Sequence, residues 1–209
     1  MAVLLIVPRR ISRPRYNRGF QSRNSRKTPN LARGSLNRSL LQKHNTAVPR
    51  TCIAVIGPGE GASTDAVADA SAIGKLIAER GWVTLTGGRA AGVMAAATRG
   101  ATDAGGLTIG ILPAADKRDA SSDLAIALPT GLGEARNAVL VTAADAIIAC
   151  GMNPGTASEV ALALRAGKPT VLVRPSLEAA AFFEGLAREA PLYVTSLPSA
   201  AVDWVAERC

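Results

Sequence analysis

The sequence predicts an α/β protein, a doubly wound parallel sheet flanked by helices, with a disordered basic N-terminal tail. Three observations predict it. Short apolar runs rich in β-formers alternate with longer alanine-rich helical segments from residue 51 onward. Most of those helical segments end at a glycine or before a proline. All of the basic excess lies ahead of the alternation, which marks one domain with an appendage.

The apolar runs are Cys52 to Ile56, Trp82 to Thr86, Thr108 to Leu112, Leu124 to Leu128, Ala146 to Cys150, Thr170 to Val173 and Leu192 to Val194. They read as strands buried on both faces, as parallel strands are. Between them Asp65 to Arg80, Gly92 to Ala104, Gly133 to Ala144, Thr156 to Ala166 and Leu177 to Ala190 carry helix formers. Gly81, Gly105 and Gly167 stand where C-terminal caps belong, and Ser63, Thr64 and Asp65 are N-capping residues. Right-handed crossovers then put every strand-to-helix loop on one edge of a Rossmann-like sheet, so loops distant in sequence converge there.

Residues 1 to 50 hold 12 of the 24 Lys and Arg and none of the 16 Asp and Glu, leaving the remainder 12 basic against 16 acidic, a charge of −4. The domain of residues 51–209 is therefore mildly acidic despite the overall charge of +8, which disfavours nucleic acid as its partner. The tail, rich in Arg, Ser and Asn, cannot offset its ordering entropy by burial and reads as disordered. Three readings fit it: an extension without a fold or an over-long translation start, an organelle transit segment, or a nucleic-acid-binding arm. The first places the protein in the cytoplasm and the second in an organelle. The run Ala2 to Val7 is too short for a secretory signal and meets Arg9 and Arg10 instead of small residues. No apolar stretch approaches the roughly 18 residues of a membrane span.

Cys52, Cys150 and Cys209 show no CxxC spacing, and the one histidine, His44, is in the tail, so no structural metal or disulfide framework is expected. The chemistry is sought in four loops: Gly57-Pro58-Gly59-Glu60-Gly61, Gly87-Gly88-Arg89-Ala90-Ala91-Gly92, Thr130 to Asn137 with Gly131 and Gly133, and Gly151-Met152-Asn153-Pro154-Gly155-Thr156. Glycine allows close backbone approach, and a following helix offers unpaired N–H groups to an anion. One such loop means only a tight turn; four on one edge indicate a phosphate-bearing small molecule.

Within them, Arg136 can clamp a phosphate with its fork of donors, Arg89 is a weaker second cation, and Asn137 can bond ligand or backbone. Gly155-Thr156-x-x-Glu159 admits two accounts. Thr156 and Glu159 have capping-box spacing, in which Glu159 bonds the start of its own helix. Alternatively, Glu159 binds a ribose hydroxyl or acts on water beside a phosphate held by the Gly155 and Thr156 amides.

These residues, Gly87-Gly88 to Gly92-Val93-Met94, Thr130-Gly131, Ala135-Arg136-Asn137 and Gly155-Thr156-x-x-Glu159, resemble the molybdenum-cofactor carrier proteins. A wider group joins them to the Lonely Guy phosphoribohydrolases and to a domain of DNA-processing proteins. The resemblance covers about Cys52 to Val173. It implies a molybdenum cofactor (molybdopterin) or a nucleotide as ligand, and a homodimer or larger homo-oligomer. By likeness to the hydrolases, Glu159 and Arg136 would be the catalytic pair. Two departures matter. Arg136 lies between Ala135 and Asn137, as in the carriers, where the hydrolases have Glu-Arg-Lys. Met152 also stands where relatives carry glycine in Gly-Gly-x-Gly-Thr, and Pro154 stiffens that loop.

Overall fold

The computed structural model describes residues 49–209; the readings of the basic tail fall on residues outside that range, Pro49 and Arg50 excepted. Seven strands form one parallel sheet: β1 (Cys52–Ile56), β2 (Val83–Thr86), β3 (Leu107–Leu112), β4 (Ile126–Pro129), β5 (Ala146–Cys150), β6 (Thr170–Val173) and β7 (Leu192–Thr195). Their order is β4-β3-β2-β1-β5-β6-β7, the doubly wound arrangement that the alternation predicts. From β1 the chain winds outward to β4, then returns to lay β5 on the other side of β1. Such a reversal leaves a crevice outside the carboxyl ends of the two strands where it occurs.

Six helices cover the sheet: α1 (Thr64–Glu79), α2 (Gly92–Asp103), α3 (Arg136–Ala143), α4 (Pro154–Arg165), α5 (Leu177–Ala187) and α6 (Pro198–Ala206). Successive strand residues point to opposite faces, so β1 splits its side chains between two cores. Ile53 and Val55 join Ile148 and the α1, α2 and α6 residues Ile73, Val93 and Val202. Ala54 and Ile56 join Ile147, Leu172 and the α3, α4 and α5 residues Leu140, Val160 and Phe183. Helices α1 and α2 meet at glycines: a Cβ on Gly74 would stand 2.1 Å from Ala97 O, and one on Gly100 2.1 Å from Ser71 O. Each glycine costs its helix about 1 kcal/mol against alanine, which the close approach of two backbones offsets.

Gly81, Gly105 and Gly167 follow their helices at φ of 72°, 74° and 67°, the left-handed caps expected of them. Four details differ from expectation. The strand expected over Leu124 to Leu128 starts at Ile126, because Leu124 N donates to Ser121 O in a turn and the pairing register opens at Ile109 with Ile126. The helix expected over Gly133 to Ala144 begins as a 3-10 turn at Gly133–Ala135. Helix α4 starts at Pro154, two residues earlier than expected, because Asn153 caps it and proline suits a first helical position. Helix α6 is an element beyond those expected, opened by Pro198 and burying Ala201, Val202 and Val205 on one face. Among the described residues no helix is long and apolar enough to cross a membrane.

Candidate functional site

At the carboxyl ends of β1, β2 and β5 lies a polar cavity of about 330 Å³, within the size range of small-ligand sites. Nine expected residues line it: Gly57 and Gly59 after β1, Gly87 and Arg89 after β2, Arg136 and Asn137 opening α3, and Gly155, Thr156 and Glu159 in the first turns of α4. Residues at positions 57 and 159 thus share one wall through topology alone.

The cavity's charge centre is Arg136, whose Nη1 lies 3.2 Å from Glu159 Oε1 with both side chains nearly buried, 11% and 8% exposed. Helix α3 carries the cation inward from one side and α4 the anion from the other. Gly87 makes room for the guanidinium, since a Cβ there would stand 2.7 Å from Arg136 Nη2 and 2.8 Å from Nη1. Burial pushes the Glu159 carboxyl up to about 7; Arg136 pulls it down, and the nearby Glu134 carboxylate adds to the rise. A carboxyl in that range exists in both protonation states near neutral pH. Arg89 Nη2 lies 3.7 Å from Glu60 Oε1, the arginine about half exposed and the glutamate almost fully so.

The capping box expected of Thr156 and Glu159 does not form. Asn153 caps α4 instead, its Oδ1 accepting from Thr156 N at 2.8 Å and from Thr156 Oγ1 at 2.9 Å. Glu159 is thereby released to face Arg136. The same bonds alter the expected phosphate seat, because the Thr156 amide already has its acceptor. Gly155, as second residue of the helix, has no intrahelical acceptor for its N–H. Two further side-chain atoms in the wall are buried without a hydrogen-bond partner among the described residues, Arg136 Nε and Asn137 Oδ1.

Five expected residues do not line the cavity. Gly88 (φ 79°) packs against β3, with a Cβ there 3.0 Å from Gly110 Cα. Gly92 lies under the first loop, where its Cβ would meet Gly59 O at 2.0 Å, and Val93 N donates to Pro58 O. One of the first amides of α2 thus already has its acceptor within the protein. Thr130 Oγ1 donates to Leu112 O, and Gly131 N donates to Ala114 O, zipping the loops after β3 and β4 together. Gly151 (φ 76°) turns beside Ala66 and Pro58. Met152 does not enter the cavity either; it packs on the core beneath α4. Conversely, Ile56, Glu60, Met94, Glu134 and Asn153 line the cavity without having been singled out for it. Of these, Asn153 before Pro154 was legible as an N-cap signal.

A model of the SLOG cluster4 family matches residues 50–202. The molybdenum cofactor binding protein from the phototrophic bacterium Rippkaea orientalis shares 42% identity and a TM-score of 0.75, over 77% of this chain and 98% of that one. The molybdenum cofactor carrier protein from Chlamydomonas reinhardtii shares 41% identity and a TM-score of 0.72, over 76% of this chain and 98% of that one. An uncharacterized protein of Archaeoglobus fulgidus is 43% identical over 124 residues, 59% of this chain and 80% of its own length. The likeness read from four loops thus extends over the whole domain, and the chain belongs to the SLOG cluster4 family.

Proposed function

We propose that the domain of residues 51–209 binds and carries a phosphate-bearing small molecule, the molybdenum cofactor before a nucleotide. The observation that carries this is the polar cavity at the β1–β5 crevice, which the nearly buried Arg136–Glu159 pair and Gly155, second residue of α4, line together. A guanidinium beside the N-terminus of a helix favours an anionic group between them. Similarity to a molybdenum cofactor binding protein at 42% identity supports the cofactor over a nucleotide.

The residues fit such a ligand. Arg136 and the Gly155 amide would hold the phosphate, with Arg89 adding charge at the edge, while Asn137 and Glu159 orient the remainder. The cofactor brings its molybdenum on its own sulfurs, and this chain would hold and shield it. Protein purified from cells that make the cofactor should carry molybdenum and a pterin fluorophore. Protein that stays empty at micromolar cofactor refutes the reading.

A second reading, a nucleoside 5′-monophosphate phosphoribohydrolase, draws on one observation: Glu159 is a buried carboxyl able to hold or release a proton near neutral pH beside a cation. It predicts adenine release from AMP, abolished in Glu159→Gln. The absence of released base removes it.

We also propose a homo-oligomer, for which the exposed apolar residues Ile126, Leu128, Leu132 and Val139 supply a contact surface; light scattering decides. Placement in the cytoplasm, or in an organelle through residues 1–50, is tested by imaging full-length protein and a chain starting at Thr51. The same pair tests nucleic-acid binding by the tail, which predicts a salt-sensitive affinity lost on truncation.

A further inference from the structure

Charges of both signs line the cavity. Arg136 opens α3, Glu134 lies in the 3-10 turn before it, and Glu159 comes from α4, while Arg89 and Glu60 come from the loops after β2 and β1. Three carboxylates thus face two guanidiniums around a cavity that would receive an anion. The outer ones count for little, because solvent screens Arg89, Glu60 and Glu134. The deciding pair is the nearly buried one, in which Glu159 Oε1 accepts from Arg136 Nη1 at 3.2 Å.

A charge taken out of water needs a partner. Glu159 is that partner for Arg136, and no imidazole exists among the described residues to titrate beside them. An anion that enters near Arg136 claims the same guanidinium and sets a second negative charge close to Glu159. Like charges at one desolvated site disfavour each other, and the carboxyl has an alternative, which is to bind a proton. Burial already holds it at about 7, so that step lies near neutral pH. The repulsion acts through space, and the ligand need not touch Glu159.

Resting on the reading of this cavity as an anion site, we propose that Glu159 is the internal counter-ion of Arg136, and that an anionic ligand binds together with one proton from solvent, which the Glu159 carboxylate takes up as its neutral acid. The sign follows. Below about 7 the carboxyl holds the proton with or without ligand, and affinity is flat. Above it, binding must bring the proton in, so affinity falls by up to about tenfold per pH unit until pH passes the higher value of the bound form. Cargo is held in neutral to acid medium and let go as pH rises.

The test is calorimetric binding of sulfate to the full-length chain from about pH 6 to about pH 9, where sulfate stays a dianion, in two buffers of different ionisation heat so that protons are counted. The parent should lose about tenfold in affinity between about pH 6 and about pH 8, and at about pH 8 take up close to one proton per sulfate. Glu159→Gln, similar in shape and without charge, should bind sulfate with little pH dependence and about tenfold more tightly than the parent at about pH 8. Should Glu159→Gln fold poorly, the proton count on the parent decides alone.

The proposal is overturned if that proton count is zero, if Glu159→Gln keeps the slope of the parent, or if sulfate fails to bind at about pH 6, where the carboxyl is mostly neutral. Its failure is distinct from failure of the carrier reading. Sulfate bound with its proton and molybdenum cofactor unbound removes the carrier function and keeps the counter-ion. Cofactor bound while sulfate brings no proton does the opposite.

Discussion

Arg136 Nη2 lies 2.7 Å from the point that a Cβ at Gly87 would occupy. The second loop is glycine there because the guanidinium of another element rests on it. Gly57 differs: its Cβ would meet the backbone oxygen of Cys150 at 2.3 Å and Val93 Cγ2 at 2.7 Å.

That contrast yields a paired prediction. Gly57→Ala must move backbone and should cost roughly 2–3 kcal/mol of stability. Gly87→Ala meets the mobile ends of Arg136 and Met94, so it should cost about 1 kcal/mol or less while weakening anion binding about tenfold. Urea unfolding and sulfate titration of both variants check it; equal stability losses would contradict it.

Glu159 makes stability depend on pH in a definite direction. Its folded carboxyl is raised to about 7 by burial, so between roughly 4.5 and 7 the folded chain keeps a proton that the unfolded chain has released. Stability therefore falls as pH rises through that window, by up to about 3 kcal/mol, and the fall ends above it. Glu159→Gln should flatten this part of the curve. Denaturant unfolding from pH 5 to 8 measures it, and an unchanged slope in the variant would assign the effect to other groups.

Asn153 satisfies two donors of Thr156 with one oxygen. Asn153→Ala should lower stability by about 1 kcal/mol, a melting shift of about 2–4 °C, and Asn153→Asp should restore most of it. Calorimetry distinguishes this from an inert surface change.

Arg174 holds a left-handed backbone (φ 46°) while its Nε lies 2.7 Å from Asp69 Oδ2 on α1, a carboxylate only 9% exposed. Arg174→Ala loses the ion pair, leaves the Asp69 carboxylate without that partner and keeps the strained backbone, so it should lower stability. Arg174→Gly loses the pair and relieves the strain, so it should be milder by about 1 kcal/mol. Equal losses would show that the backbone there carries no strain.

The parallel order of the sheet was legible because strand runs and alanine-rich helices alternate from Cys52 to Thr195 with a single break, between β3 and β4, although the edge strand β4 is largely exposed where a buried strand was expected. Helix α6 was not, since only nine residues separate Leu197 from Glu207 and its three buried residues give little period to read. In the site, glycine spacing located the correct edge, yet glycine types alone did not say what each turn approaches. Gly92 yields to Gly59 O and Gly88 to Gly110, both contacts across the fold. The Thr156–Glu159 spacing suggested a cap for the same reason: a local pattern does not reveal that Arg136, 23 residues away, competes for the carboxylate.

Because β1 and β5 are neighbours in space and 93 residues separate Cys52 from the Asp145 that bonds its amide, the cavity has no local owner. A ribosome delivers Gly57 and Gly87 long before Arg136 and Glu159, so a nascent chain has half a vessel and nothing to hold with it. The cavity closes only after synthesis has passed α4, and a fragment that stops short of that helix lacks Gly155, Thr156 and Glu159 from its lining.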